Sequence, residues 1–309
     1  MSTADLEVVV GEFGLGPVIN SGRLPGGGHD VIKLRTERGA YVIKRPWDRL
    51  DVELYAEVEQ HLNRQGIRQA RQHRRPGGEL LASSGHAVQE FLPGMIVDPL
   101  DRTRTLNLMR WLADHDRALA AITPPSELAA RDTVWARVVR TDYLLTELPG
   151  LFARHAPDGL DPAPVRRLLD LLADGAATLA AQPRQLVHGD LGPDNVLFDG
   201  EAVLAVIDFT PFHDTVLLGL ASAVYFGQLL GTSPAADRDR QRTEIEESFA
   251  AYGTEALSAD RSLPWTALVL EALRRLATPL AVVEAGGTPP APERTRRRYA
   301  AAARLAALL

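Results

Sequence analysis

With 309 residues, the chain is long enough to bury a sizeable core and to divide into two parts. A formal net charge of −6 argues against general affinity for nucleic acid, whose electrostatic footprint is basic. Cysteine is absent, which excludes disulfides and thiolate metal sites and agrees with a cytoplasmic protein. The opening MSTADLEVVV lacks the basic start and apolar core of a secretory signal. The longest uncharged apolar run, Thr215 to Gly231, is short for a membrane span and interrupted by glycines, so no membrane partner is expected.

Asp5 to Phe13 reads as a short apolar helix before the first strand. Pro17–Ser21, Val31–Leu34 and Ala40–Lys44 read as three strands. The loop Leu24-Pro25-Gly26-Gly27-Gly28-His29 joins the first two, and the turn Glu37-Arg38-Gly39 joins the last two. Three successive glycines let backbone N–H groups approach a phosphate without interference from Cβ. A helix follows from about Leu50 to Gln65, with Leu54, Val58 and Leu62 as its apolar stripe. Glu79–Ala82 and His86–Phe91 are expected to form a β-hairpin about Ser83-Ser84-Gly85. Gln89-Glu90-Phe91-Leu92-Pro93-Gly94 then turns the chain, which places a boundary between parts 1–93 and 94–309.

Beyond Asp101 the pattern becomes helical. Helices are expected over Arg102–Ile122, Leu128–Leu148 and Pro162–Ala181, with Trp111 and Trp135 as core residues and Asp132 as a possible cap. Four more are expected near Val216–Leu230, Asp239–Tyr252, Pro264–Glu284 and Pro292–Leu309. The run Arg294-Thr295-Arg296-Arg297-Arg298 reads as a solvated helix face.

Between these helical regions lies QLVHGDLGPDNVLFDGEAVLAVIDFTPF, residues 185–212. Two apolar runs, Gln185–Val187 and Ala202–Ile207, each end in polar residues. The first leads to His188-Gly189-Asp190 and, five residues on, Asn195; the second leads to Asp208-Phe209. Two carboxylates and an amide are hard oxygen donors, suited to Mg2+ carrying nucleotide phosphates. One carboxylate can instead accept a proton from an attacking hydroxyl.

This layout resembles the kinase catalytic loop His-x-Asp-x-x-x-x-Asn followed by a metal-binding aspartate. His188, Asp190, Leu191, Asn195 and Asp208 match the aminoglycoside phosphotransferase and choline kinase branch. The resemblance implies an α+β, two-lobed protein-kinase-like fold: a small antiparallel β-sheet lobe with one helix, and a mainly helical second lobe. It implies Mg2+-dependent transfer of a γ-phosphoryl from ATP or GTP to a hydroxyl of a small metabolite or antibiotic. Asp190 would be the base and His188 a support of the loop, while Asn195 and Asp208 would hold the metal. Lys44 would bind phosphates, held by a glutamate of the following helix, Glu57 in preference to Glu53. Gly26, Gly27 and Gly28 would cover the phosphates, and Glu90, Phe91, Leu92 and Leu197 would surround the base.

Relatives place a second aspartate after the metal-binding one to brace the loop, but Gly219 stands at that place here. Asp214 or His213 could substitute. The missing brace leaves open an inactive, kinase-like nucleotide-binding regulatory protein. A protein kinase is disfavoured because no Asp-Phe-Gly, Ala-Pro-Glu or activation segment follows Asp208.

Overall fold

The computed structural model describes residues 3–24, 31–46, 49–98, 100–131, 133–230, 237–254, 260–288 and 291–309. They form two compact units. The N-terminal unit comprises residues 1–96, 194–199 and 204–211; the C-terminal unit comprises 97–193, 200–203 and 212–309. Gly26, Gly27, Gly28, Asp132 and the side chain of Trp135 lie outside the described residues.

In the N-terminal unit, strands β1 (Val18–Arg23), β2 (Ile32–Thr36), β3 (Gly39–Lys44) and β4 (Ala87–Glu90) form one antiparallel sheet in chain order. The β2–β3 register pairs Thr36 with Gly39 and Ile32 with Ile43. Leu34, Tyr41, Ile43 and Val88 pack with Val9 of helix α1 (Thr3–Glu12) and with Phe13 just after it. Helix α2 (Arg49–Arg64) joins β3 to β4 and packs Val52 and Ala56 on Leu80 and Ala87. The hairpin expected around Gly85 shrinks to a single Leu81–Ala87 bridge. Strand β4 pairs instead with β3, and Gln89 bridges to Gln72.

In the C-terminal unit, α10 (Leu263–Glu284) is buried on all sides from Ala267 to Ala281, and its sequence there is apolar apart from Glu271, Arg274, Arg275 and Thr278. Helices α6 (Thr141–His155), α7 (Ala163–Ala180), α8 (Val216–Val224) and α11 (Pro292–Leu308) pack against it. The remaining helices are α3 (Arg102–Leu119), α4 (Ser126–Ala129), α5 (Val134–Val138) and α9 (Arg238–Tyr252). The single helix expected over Leu128–Leu148 is thus broken into three pieces. Thr133 causes one break by capping α5, its hydroxyl accepting from Ala136 N at 3.1 Å. A π-helical turn, Tyr225–Leu230, continues α8.

The arginine run on α11 is only partly a solvated face. Arg297 and Arg304 donate to the Leu230 and Leu229 carbonyls that end the π turn. Arg298 is 7 % exposed and donates to the Arg275 carbonyl at 2.7 Å. That carbonyl lacks its helical partner because Pro279, four residues on, has no N–H.

Candidate active site

Strand β3 brings Lys44 to the sheet end, and its Nζ lies 2.7 Å from Asp208 Oδ1. Asp208 follows strand β7 (Ala202–Val206) and has φ of 55°, the one non-glycine with positive φ among the described residues. Such a backbone is uncommon outside glycine, and it turns this carboxylate away from the strand direction. Ile207 N donates to Asn195 O at 2.8 Å, so the backbone carrying Asn195 is tied beside that carrying Asp208. Phe209, 6 % exposed, anchors the chain on the other side.

Neither expected helix glutamate meets Lys44. Glu57 and Glu53 are exposed, and Glu53 pairs with Arg49 at 2.8 Å. The buried face of α2 carries Leu54, Tyr55, Val58, Glu59 and Leu62, which leaves positions 53 and 57 on the outer side. Glu59 is the buried acid, and it accepts from Asn63 Nδ2 and Gln72 N. Tyr55 donates to Ala70 O at 2.7 Å. Burial, then Glu59 and Asp208, pushes its phenol pKa up.

Leu92 is 4 % exposed and clusters with Ala70, Leu197 and Ala205, with Leu204 and Ile207 beside them. Phe91 N donates to Ala40 O, and Met95 exchanges two backbone bonds with Phe198 of strand β6 (Val196–Asp199). Between them, the backbone N–H and C=O of Leu92 have no partner among the described residues. Gly94 is required here, since a Cβ would lie 2.6 Å from Leu197 Cβ. The Phe91 ring carries Lys33 Nζ 3.6 Å from its centroid, and Glu90 pairs with Arg68 at 3.3 Å.

In the C-terminal unit, β5 (Gln185–His188) pairs with β8 (Pro211–Asp214) and carries the His-Gly-Asp turn. A Cβ on Gly189 would sit 1.8 Å from the Phe212 ring, so only glycine fits. Asp190 N donates to His188 Nδ1 at 3.1 Å, which leaves that nitrogen as an acceptor. The Asp190 carboxylate, 42 % exposed, accepts from Arg275 Nη1 at 2.6 Å. Burial pushes its pKa up, but Arg275 and then Arg274 outweigh burial and hold it below the ordinary carboxylate value.

Arg275, Glu271 and Arg274 are site residues that the motif pattern does not announce. Arg275 donates through Nε to Glu271 at 2.6 Å and through Nη2 to Ser222 Oγ at 2.8 Å. Glu271 is fully buried and also accepts from Arg274 at 2.6 and 2.8 Å. The Ser222 hydroxyl lies 3.0 Å from the Leu191 carbonyl, next to Asp190. The available signal was an acid and two bases at i, i+3 and i+4 inside an otherwise apolar helix.

At Gly219, a Cβ would meet Asp116 Oδ2 at 3.8 Å and the His188 carbonyl at 3.9 Å. A carboxylate therefore occupies the vicinity of the missing brace, but it comes from α3. Asp116 is 2 % exposed and accepts from Tyr252 OH at 2.8 Å. Asp214 instead accepts from Thr215 N at the start of α8, and burial raises its pKa.

An N-terminal antiparallel sheet with its helices, and a helical C-terminal part carrying His-Gly-Asp at a strand end, define the class as the α+β protein-kinase-like fold. Choline kinase LicA from Streptococcus pneumoniae matches with a TM-score of 0.65 and 14 % identity, covering 99 % of each chain. Amicoumacin kinase hAmiN, in complex with AMP-PNP, Ca2+ and Ami, matches at 0.66 with 15 % identity, over 96 % of this chain and 93 % of its own. At such identities the likeness is one of fold. A homoserine kinase of Beijerinckia indica subsp. indica is 28 % identical over 218 residues, 68 % of this chain and 64 % of that protein. The chain therefore spans less than two thirds of this curated relative. The phosphotransferase enzyme family (APH) model matches residues 22–252, and the chain belongs to that family. Among the described residues, no helix is long and apolar enough to cross a membrane.

Proposed function

We propose that the protein transfers the γ-phosphoryl of a nucleoside triphosphate, ATP before GTP, to a hydroxyl of a small metabolite or antibiotic. The observation that carries this reading is the 2.7 Å approach of Lys44 to Asp208 from 164 residues away. A phosphate-binding cation and a metal-binding carboxylate thereby share one place in the N-terminal unit, beside the segment of Asn195. The backbone groups of Leu92, unpartnered among the described residues, offer a donor and an acceptor for the edge of an adenine, with Leu92 and Leu197 against its face. Residues 1–93, with Asn195, Leu197 and Asp208, accordingly hold the nucleotide and its metal, and the rest of 94–309 carries Asp190 and the acceptor.

Asn195 and Asp208 offer one amide and one carboxylate. Such a hard and sparse oxygen set suits Mg2+, which keeps waters and substrate phosphates among its ligands. Bound there, Mg2+ neutralises phosphate charge. Lys44 anchors the phosphates that are not transferred. Asp190 orients the acceptor hydroxyl and receives its proton as the acceptor oxygen bonds to the γ-phosphorus. The bond from that phosphorus to the bridging oxygen breaks, and the nucleoside diphosphate leaves with the electron pair. The arginines around Asp190 keep it ionised, and therefore able to accept, down to acidic pH.

The test is product formation from MgATP with homoserine, choline, sugars and aminoglycosides as acceptors. Acceptor-dependent release of ADP with a phosphorylated small molecule supports the proposal. Nucleotide binding without turnover would support the regulatory reading instead, and phosphorylated protein a protein kinase.

A further inference from the structure

The guanidinium of Arg275 has each of its three nitrogens engaged: Nε on Glu271, Nη2 on Ser222 and Nη1 on Asp190. Its flat face lies 4.4 Å from the Phe226 ring centroid. Its backbone is held too, because Arg298 takes the carbonyl that Pro279 leaves open. Glu271 already has Arg274 as a two-nitrogen partner, so its charge does not depend on Arg275 alone. What Arg275 adds is a reach from the buried helix to a half-exposed carboxylate on the catalytic loop. A planar fork fixed on three sides sets direction as well as charge.

We propose that Arg275 is a positioning residue for the phosphoryl acceptor, holding Asp190 by Oδ1 and so fixing the direction in which that carboxylate meets the acceptor hydroxyl. This rests on the reading of Asp190 as the group that takes the acceptor's proton. With Gly219 at the usual bracing position, α10 supplies the hold: Arg275 grips the Asp190 side chain and Ser222 the Leu191 carbonyl.

The experiment measures ADP release from MgATP by the full chain, with whichever acceptor gives the fastest turnover, water included. Arg275→Met and Arg275→Lys are made alone and together with Asp190→Asn. Arg275→Met is expected to lower kcat about 100-fold, as a misaimed group does, with the KM for ATP changed less than about two-fold. Arg275→Lys recovers part of the loss. On the residual rate of Asp190→Asn, neither change costs more than about two-fold further, since the carboxylate they aim is gone.

A kcat for Arg275→Met within two-fold of the unaltered chain overturns the inference, and so do equal losses in both backgrounds, which would mark a role in folding alone. If Arg275→Met does not fold, the Lys variant carries the same cycle, with about a ten-fold loss expected only where Asp190 is present. Full activity in Asp190→Asn, or no ADP release with any acceptor, would remove the reading of Asp190 and this inference with it. Loss in Asp190→Asn alongside full activity in both Arg275 variants would remove the inference alone.

Discussion

The ion pairs of Lys44 with Asp208 and of Asp190 with Arg275 are built in opposite ways. Lys44 and Asp208 meet with side chains 17 % and 54 % exposed, so water and salt screen their attraction. Asp190 meets Arg275, which is 4 % exposed and locked to a Glu271 with no exposure at all. Opening the first pair costs little, and a nucleotide with its cation can supply better partners to both groups. Opening the second would leave two buried arginines sharing the single anion Glu271, so that pair resists opening. On the proposed function, the groups that would grip a diffusible charged ligand are left accessible, whereas the carboxylate that would be aimed at the acceptor is clamped from the core.

Substitutions can break that contrast. Asp190→Asn should lower kcat by about 10³-fold, within the range for a lost general base, while the Kd for ATP stays nearly unchanged. Lys44→Met should reduce kcat/KM for ATP about 10²-fold, by removing one fixed charge from the phosphates. Its melting temperature should barely move, because an exposed pair contributes little. Glu271→Gln, unlike Lys44→Met, should lower stability. It leaves Arg274 and Arg275 buried without their anion and should cost about 3 kcal/mol in urea unfolding.

Smaller effects sharpen the contrast. Arg298→Met should destabilise by about 1 kcal/mol through the unsatisfied Arg275 carbonyl, and by less in Pro279→Ala, where the helix regains an N–H donor. The pH dependence of melting should also carry the mark of Glu271. Burial pushes its pKa up, but Arg274 and Arg275 outweigh burial and hold it below the ordinary 4.5. A depressed folded pKa contributes stability that is present above the unfolded value and lost as pH falls through the folded one. Melting should therefore be flat above about pH 5 and fall below the ordinary carboxylate range, and Glu271→Gln should remove part of that fall.

Much of this organisation was legible in the sequence. Alternation and turn residues located β1 to β3, and apolar spacing located α2, α3, α7 and α9 to α11 within a few residues. The His188-to-Asp208 spacing singled out the segment whose carboxylates meet Lys44 and Arg275. Spacing alone did not reveal the breaks in Leu128–Leu148, where a threonine cap outweighs the apolar pattern. It also left open which face of α2 turns inward, so Glu57 and Glu53 were preferred although Glu59 is the buried acid. Arg275 and Asp116 escaped notice because their meaning lies in contacts 85 residues away in one case and across helices in the other. The arginines of α11 looked solvated because nothing local shows that Pro279 and the end of the π turn leave carbonyls to be filled.

The most direct test is mass spectrometry of the acceptors after incubation with MgATP, run in parallel on the unaltered protein and Asp190→Asn. The account predicts a phosphorylated hydroxyl compound from the former and almost none from the latter, with both proteins binding ATP equally. ATP bound by the unaltered protein with no acceptor phosphorylated, or the same product yield from Asp190→Asn, would contradict it.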